Sequence, residues 1–243
     1  MIKLTTLSSS SNGNCHILEC ENSSIMIDCG IEASEIIKYI KTYSLDGVFV
    51  THRHADHSKG IEGLSCFTVC KYYMNEETFN FVNIIGNRYK QKISAKDVVD
   101  LKDFKILCFD VYHDVQNTNF LILHKPSETK ILYITDTSSI NNLKFKDINY
   151  FIVEGNFSKE WDLSDNKYIR TNSIVGHMPI EDTIEFLQNN ICEKTKGIFI
   201  SHISHSFKKY KEFEKKVKES VDERINVIAL NNRTIGPQEF ILE

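Results

Sequence analysis

The chain has 243 residues, of which 41% are hydrophobic and 26% are charged, and its formal net charge is -4 at pH 7. This composition is typical of a folded globular protein and excludes long disordered tracts. The weak negative charge excludes a uniformly basic, DNA-coating surface. Any contact with nucleic acid would therefore need a local group of basic residues or bound cations.

The seven cysteines occur singly between Cys15 and Cys192, without a C-x-x-C pair. This spacing predicts reduced thiols and argues against a disulfide framework or a zinc ribbon. The N-terminal segment lacks the apolar core of a secretory signal, and no apolar run approaches the roughly 20 residues that span a bilayer. We therefore expect a cytoplasmic protein without a membrane segment.

The first half of the chain reads as short strands followed by helices. Strands are predicted at Ile2–Leu7, Cys15–Cys20 and Ser24–Asp28, and a helix from Ala33 to Tyr43. The continuous apolar run Gly47–Thr51 predicts a buried strand. A helix is predicted from Met74 to Ile85, and further strands at Phe104–Val111, Asn119–His124, Lys130–Thr135 and Tyr150–Val153.

The second half ends in a similar alternation. An amphipathic helix is predicted at Ile180–Asn189, a buried strand at Gly197–Ser201, a charged helix at Phe207–Val221 and a last strand at Val227–Leu230. No internal repeat and no low-complexity linker is visible, which predicts one domain over residues 1–243. The pattern favours an α/β fold, a four-layer sandwich of two mixed β-sheets with helices on both outer faces. The oligomeric state stays open, a homodimer included.

The segment after the strand Gly47–Thr51 contains the pattern H-x-H-x-D-H. His52 and His54 lie two residues apart in a loop, so both side chains can hold one metal ion. Asp56 and His57 can turn toward a second ion. Because imidazole and carboxylate ligands suit Zn, Fe and Mn, the pattern predicts a metal centre more strongly than a polar loop with incidental histidines.

One loop cannot close two metal sites, so further ligands are expected at other strand ends. His113, Asp136 and His202 each follow an apolar run, which is where α/β folds place functional residues. Alone, each of these residues is more often structural. Behind H-x-H-x-D-H, they are predicted ligands.

This order of motifs resembles that of the metallo-β-lactamase superfamily, in which an early Asp precedes H-x-H-x-D-H, a His, an Asp and a final His. The resemblance covers essentially the whole chain and implies two divalent metal ions, zinc or manganese, with iron as an alternative. It also implies that Asp28 orients the metal loop, that Asp136 bridges the two ions, and that the remaining ligands divide into His52, His54 and His113 for one ion and Asp56, His57 and His202 for the other.

Shorter elements are similar to those of the WalJ/YycJ group of DNA exonucleases. The opening Leu7–Asn14 resembles the S-G-S-S-G-N segment of that group, Tyr112-His113-Asp114 its H-D-A, Glu154-Gly155-Asn156 its E-A-N, and Gly176-His177-Met178-Pro179 its G-H-L-S. Asn14 and Asn156 are therefore expected to support the ligands or to contact substrate. The sequence departs from the group at Ser9, where a glycine is usual, and at Phe157, where a histidine is usual.

The resemblance implies a phosphodiesterase or nuclease acting on nucleic acid or a nucleotide, with a DNA exonuclease favoured. Asp56 and Asp136 are expected to take part in catalysis, and His177 to protonate the leaving oxygen or contact phosphate. A structural histidine at the start of a helix is the alternative for His177. The alternatives for the function are a cyclic-nucleotide phosphodiesterase, a glyoxalase II-type thioester or lactone hydrolase, and a metal-free binding protein, which the intact ligand set disfavours.

Overall fold

The structure is a computed structural model that describes residues 1–40, 45–140, 143–160, 176–204, 210–231 and 236–242. Within these ranges the chain forms two seven-stranded β-sheets. Helices lie against each sheet on the side away from the other sheet. This arrangement confirms the predicted sandwich of two mixed sheets.

The strands of the first sheet are β1 (Ile2–Ser10), β2 (Gly13–Glu19), β3 (Ser24–Ile27), β4 (Gly47–Val50), β5 (Lys71–Met74), β6 (Lys90–Lys92) and β14 (Gln238–Leu242). Their order is β14-β1-β2-β3-β4-β5-β6. Neighbours from β14 to β3 pair antiparallel, and neighbours from β3 to β6 pair parallel.

The strands of the second sheet are β7 (Val98–Asp100), β8 (Phe104–Val111), β9 (Asn117–His124), β10 (Thr129–Ile134), β11 (Tyr150–Glu154), β12 (Gly197–Ser201) and β13 (Asn226–Ala229). They follow one another in sequence order across the sheet. Neighbours from β7 to β10 pair antiparallel, and neighbours from β10 to β13 pair parallel.

The helices are α1 (Ala33–Ile36), α2 (Ala55–Ser58), α3 (Ile61–Ser65), α4 (Glu76–Phe81), α5 (Ile180–Asn190) and α6 (Tyr210–Ser220), and a 3-10 turn covers Asn87–Tyr89.

The side chains of strand β4 point alternately into two apolar layers. Phe49 packs between the sheets, whereas Val48 and Val50 pack toward α1 and α3. A third layer joins the second sheet to α5 and α6.

Three predicted elements need correction. Met74–Ile85 is not one helix, because Met74 pairs with Val50 in β5 and α4 ends at Phe81. Val227–Leu230 is not the last strand, because β14 returns to pair with β1. The helix predicted at Ala33–Tyr43 ends at Ile36, and the last residues of that prediction, 41–43, lie outside the described ranges.

The helix predicted from Phe207 is described from Tyr210 onward, and residues 205–209 lie outside the described ranges. All seven cysteines are free, as their spacing predicted. No described helix is long and apolar enough to cross a bilayer.

Candidate metal centre

The predicted ligands meet at one edge of the sandwich because each follows a strand that ends there. His52 follows β4, His113 follows β8, Asp136 follows β10 and His202 follows β12. Asp136 and His202 adopt left-handed backbone angles, with φ of 52° and 49°. This sharp change of direction after the strand is uncommon for residues other than glycine.

The loop that carries H-x-H-x-D-H is fixed by its neighbours. The Arg53 side chain donates to Glu77 of α4 (2.6 Å), which in turn accepts from the backbone N–H of Gln116 (2.8 Å). Gly30 passes so close to the loop that a Cβ at that position would lie 1.6 Å from the carbonyl oxygen of Asp56. The loop can therefore take this position only because residue 30 is a glycine.

One set of donor atoms is formed by His52, His54, His113 and Asp136. His113 Nε2 lies 3.3 Å from His54 Nδ1. Asp136 Oδ2 lies 3.7 Å from His52 Nε2 and 3.9 Å from His113 Nε2. The His52 ring is buried, yet its Nε2 has no hydrogen-bond partner among the described residues. A buried polar atom without a partner is rare unless an ion or water completes it.

A second set is formed by Asp56, His57, His202 and again Asp136. Asp136 Oδ1 lies 3.3 Å from His57 Nε2 and 3.4 Å from His202 Nε2. Asp56 Oδ2 lies 3.2 Å from His202 Nε2 and 3.5 Å from His57 Nε2. The two oxygens of Asp136 thus face different histidines, and the structure brings together every ligand predicted from the sequence.

Both sets have the spacing that a metal ion requires. Two ligands of one tetrahedral Zn²⁺, each about 2.0–2.2 Å from the ion, lie about 3.3–3.6 Å apart. The closest pairs, at 3.3 Å in the first set and 3.2–3.3 Å in the second, are close to this separation. The His/Asp cluster is therefore suited to binding metal ions.

Asp28 lies behind the cluster, where it was expected to orient the metal loop. Its fully buried carboxylate accepts hydrogen bonds from His57 Nδ1 (2.8 Å), the backbone N–H of Thr51 (2.9 Å) and the hydroxyl of Tyr133 (3.0 Å). Because Nδ1 of His57 donates to Asp28, its Nε2 is left to face the second set.

Asn14 and Asn156 contact the histidines of the second set, Asn14 at the Nε2 atom of His57 that faces the set and Asn156 at the far nitrogen of His202. Asn14 donates through Nδ2 to the backbone carbonyl of Asp56 (3.3 Å) and lies 3.0 Å from His57 Nε2. Asn156 donates through Nδ2 to the backbone carbonyl of His202 (2.9 Å) and lies 3.1 Å from Nδ1 of the same ring. Both side chains are buried, so they contact the ligands and not the solvent-facing side of the site.

Glu154 is a site residue that the sequence analysis did not select. Its buried carboxylate accepts from the backbone N–H groups of Asp136 (3.1 Å), Thr137 (2.9 Å) and Met178 (2.9 Å) and from His177 Nδ1 (3.2 Å). The sequence did contain a signal, because Glu154 is the last residue of the apolar strand β11 and lies at the same edge of the sheet as Asp136, which follows β10.

His177 lies beside the second set. Its ring stacks on that of His202 with the centroids 4.9 Å apart, and its Nδ1 lies 3.9 Å from Asp136 Oδ2. The structure therefore places the predicted proton donor next to the cluster, with Nδ1 engaged by Glu154.

The charges of the site explain its pKa values. Burial disfavours the charged form of His177, but the hydrogen bond to Glu154 and the charge of that carboxylate outweigh burial and raise its pKa to about 9. Burial is likewise outweighed at His57, whose pKa is raised by Asp136, Asp28 and Asp56. The carboxylates thus favour the charged form of the neighbouring rings.

Comparisons with known proteins agree with this geometry. The profile of the beta-lactamase superfamily domain matches residues 24–198. The chain is 28% identical to exodeoxyribonuclease YycJ of Bacillus anthracis over 223 residues, which cover 84% of this chain and 83% of that protein. It is 26% identical to exodeoxyribonuclease WalJ of Streptococcus pneumoniae over 226 residues, which cover 83% and 81% of the two chains.

The fold is also similar to that of a solved structure. The metallo-β-lactamase fold protein YhfI from Bacillus subtilis superimposes with a TM-score of 0.76 at 16% identity, over 99% of this chain and all of that one. Together with the cluster of histidines and aspartates, these matches assign the protein: the chain belongs to the β-lactamase superfamily, as a metal-dependent hydrolase of the metallo-β-lactamase fold related to YycJ and WalJ.

Proposed function

We propose that this protein is a two-metal phosphodiesterase that degrades DNA as an exonuclease. The observation that carries the proposal is the division of Asp136, whose Oδ2 faces His52 and His113 while its Oδ1 faces His57 and His202. A carboxylate placed in this way can bridge two cations. We assign His52, His54 and His113 to one Zn²⁺ or Mn²⁺ ion, and Asp56, His57 and His202 to the other.

Two bound cations would supply a nucleophile from water near neutral pH and would neutralise the charge that develops on phosphorus. Asp56 is the most exposed carboxylate of the second set, at 22% of its side chain, so it can also orient the attacking water. Asp28, Asn14 and Asn156 hold the rings and the loops of the ligands in place.

His177 is the group we assign to the leaving oxygen. Glu154 accepts from its Nδ1 (3.2 Å), which leaves Nε2 as the atom that can donate a proton. The ring is partly open to solvent, with 18% of the side chain exposed. A phosphodiester bond needs such a donor on the side away from the nucleophile, because the departing oxygen is a poor leaving group when unprotonated.

DNA is favoured as the substrate because both curated relatives carry the name exodeoxyribonuclease and match more than four fifths of this chain. The free cysteines fit a reducing compartment, and we propose that the protein acts in the cytoplasm. We also propose that residues 1–243 act as one domain, since one apolar layer packs between both sheets.

The test is hydrolysis by the full chain loaded with Mn²⁺ or Zn²⁺. The substrates are linear and covalently closed duplex DNA, single-stranded DNA, RNA, cyclic mononucleotides and a glutathione thioester. We expect mononucleotides from linear DNA and none from closed circles. Asp136→Ala should lower the rate by at least about 100-fold, since metal ions supply several kcal/mol of charge stabilisation. Asp147→Asn, an exposed aspartate paired with Lys194, should keep the rate.

The other outcomes separate the alternatives. Cleavage confined to cyclic mononucleotides would reject DNA as the substrate and keep the two-metal phosphodiesterase. Turnover of the thioester alone would reject phosphodiester chemistry and the role given to His177. Full activity of Asp136→Ala would reject the bridging carboxylate.

A further inference from the structure

Asp114 directly follows His113 and has no part in the ligand sets described so far. Its Oδ1 lies 3.0 Å from His113 Nε2, and its Oδ2 lies 3.5 Å from His54 Nε2. About half of the side chain is exposed (52%). The carboxylate therefore approaches two rings of the first set from the solvent side.

The hydrogen bond on the far side of His113 shows which atoms face each other. His113 Nδ1 lies 2.8 Å from the backbone carbonyl of Gly176. A carbonyl oxygen only accepts, so Nδ1 carries the hydrogen, and Nε2 is the ring nitrogen left to bind a cation. Asp114 Oδ1 lies 3.0 Å from this nitrogen. One cation bound to both atoms would offset the charge of the carboxylate and use the lone pair of Nε2.

His54 completes the arrangement. Its Nε2 faces Asp114 Oδ2. When Nε2 carries the hydrogen and donates to this carboxylate, the lone pair of the ring is on Nδ1. This Nδ1 lies 3.3 Å from His113 Nε2. Two donor atoms, Asp114 Oδ1 and His54 Nδ1, thus lie close to His113 Nε2. Their separations of 3.0 and 3.3 Å are close to those of ligands that share one metal ion, about 3.3 Å for a tetrahedral site with bonds of about 2.0 Å.

We propose that Asp114 is a further metal ligand, whose Oδ1 binds the cation held by His52, His54 and His113. The proposal rests on the two-metal centre proposed above. Each cation then has one carboxylate of its own, Asp114 or Asp56, besides the shared Asp136. The added oxygen donor also shifts this set toward Mn²⁺, because carboxylate ligands suit that ion.

The experiment compares Asp114→Asn with Asp147→Asn in the full chain, after removal of metal by a chelator. Asp147 is a matched control, since it is an exposed aspartate in an ion pair with Lys194. Mn²⁺ and Zn²⁺ binding is measured by titration calorimetry, and Co²⁺ is added as a spectroscopic probe. The melting temperatures of the metal-free variants show that both are folded.

We expect Asp114→Asn to weaken Mn²⁺ binding at one of two sites by at least about tenfold, the lower end of what loss of a supporting partner costs a metal site. Zn²⁺ binding should weaken less. The visible absorption of bound Co²⁺ should become more intense, because a lower coordination number strengthens these bands. Asp147→Asn should match the unmodified chain in each measurement.

The results distinguish this proposal from the one on which it rests. If the unmodified chain binds two ions and Asp114→Asn gives the same Mn²⁺ isotherm and the same Co²⁺ spectrum, Asp114 is not a ligand and the metal centre stands. If the unmodified chain binds no metal, both proposals are rejected.

Discussion

Asp28 is the residue on which the direction of the His57 ring depends. It is fully buried, and such a carboxylate is stable only when hydrogen bonds replace its lost hydration. The donors come from both sheets: His57 and Thr51 follow β4, and Tyr133 lies in β10. Asp28 therefore fixes the ring of His57, which follows a strand of the first sheet, relative to a strand of the second sheet.

Replacing Asp28 with Asn keeps the size of the side chain but removes the charge and part of its capacity to accept hydrogen bonds. His57 then loses the partner that holds its Nδ1–H. We expect metal affinity to fall by about 10–100-fold, as is usual when such a supporting partner is lost. Titration calorimetry with Zn²⁺ or Mn²⁺ measures the change.

Tyr133→Phe is the matched variant for Asp28→Asn. It removes one donor to the carboxylate (3.0 Å) and leaves the contact with His57 in place, so its effect on affinity should be clearly smaller. An Asp28→Asn protein with unchanged affinity would show that the backbone alone orients His57.

The sequence allowed the predicted ligands to be selected because each is a metal-binding residue type at the end of an apolar strand. Glu154 also ends an apolar strand, but the sequence does not show what its carboxylate contacts, and Asp114 is marked only by its position next to His113. The role of Glu154 depends on backbone donors of Thr137 and Met178, which loops distant in sequence bring together. The position of Asp114 matters only once the tautomers of His54 and His113 are known.

At the scale of elements, the two sheets repeat one pattern of strand pairing that the sequence does not reveal. In both sheets, four strands pair antiparallel and the remaining neighbours pair parallel. β3 and β10 occupy equivalent positions, and each is followed by an aspartate with a left-handed backbone, Asp28 (φ 59°) and Asp136 (φ 52°). The same backbone turn thus positions Asp28, which supports His57, in the first sheet and Asp136, the proposed bridging carboxylate, in the second.

Asn75 joins the start of α4 to the strand that carries the metal loop. It is fully buried. Its Oδ1 accepts from the backbone N–H of Thr78, and its Nδ2 donates to the backbone carbonyls of Thr51 and Gln116, each at 2.9 Å. Asn75 is therefore both the N-cap of α4 and a connection to β4.

Asn75→Ala removes the cap, which costs about 1 kcal/mol, and leaves buried carbonyl groups with fewer donors, which costs about 1–3 kcal/mol more. We expect the free energy of unfolding to fall by about 2–4 kcal/mol, measured by urea denaturation. Asn189→Ala is the control, because Asn189 is exposed and donates only to a carbonyl of its own helix. Its effect should stay within about 0.5 kcal/mol. Equal effects of the two substitutions would contradict the role of Asn75.

The elements that the sequence predicted correctly are long or strongly apolar, such as β8, β12 and α5. The errors fall on short elements whose state is set by partners. β5 has only four residues and forms because β4 and β6 lie on either side of it. β6 is the polar segment Lys-Gln-Lys, which has no apolar alternation. β14 follows residues rich in turn formers and is a strand because β1 offers an open edge.

At the scale of the molecule, the proposed centre lies across the contact between the two sheets. One side contributes the loop after β4, and the other contributes His113, Asp136 and His202. The carboxylates of Asp56, Asp136 and Glu154 lie close together at this contact, and Asp28 lies behind them against His57. Bound ions would therefore hold the two halves of the sandwich together as well as serve catalysis.

Removal of metal should for this reason lower the stability of the whole fold. An ion present at 100 times its dissociation constant stabilises the folded state by about 2.7 kcal/mol, which for a chain of this size corresponds to a rise in melting temperature of about 5–10 °C. Scanning calorimetry before chelation, after chelation and after return of Mn²⁺ or Zn²⁺ measures this shift. Asp136→Ala removes the shared carboxylate, so its melting temperature should respond far less to added metal. A melting temperature that chelation leaves unchanged, in a chain shown by metal analysis to have lost its ions, would mean that the two sheets are held by their apolar layer alone and that the centre contributes only to catalysis.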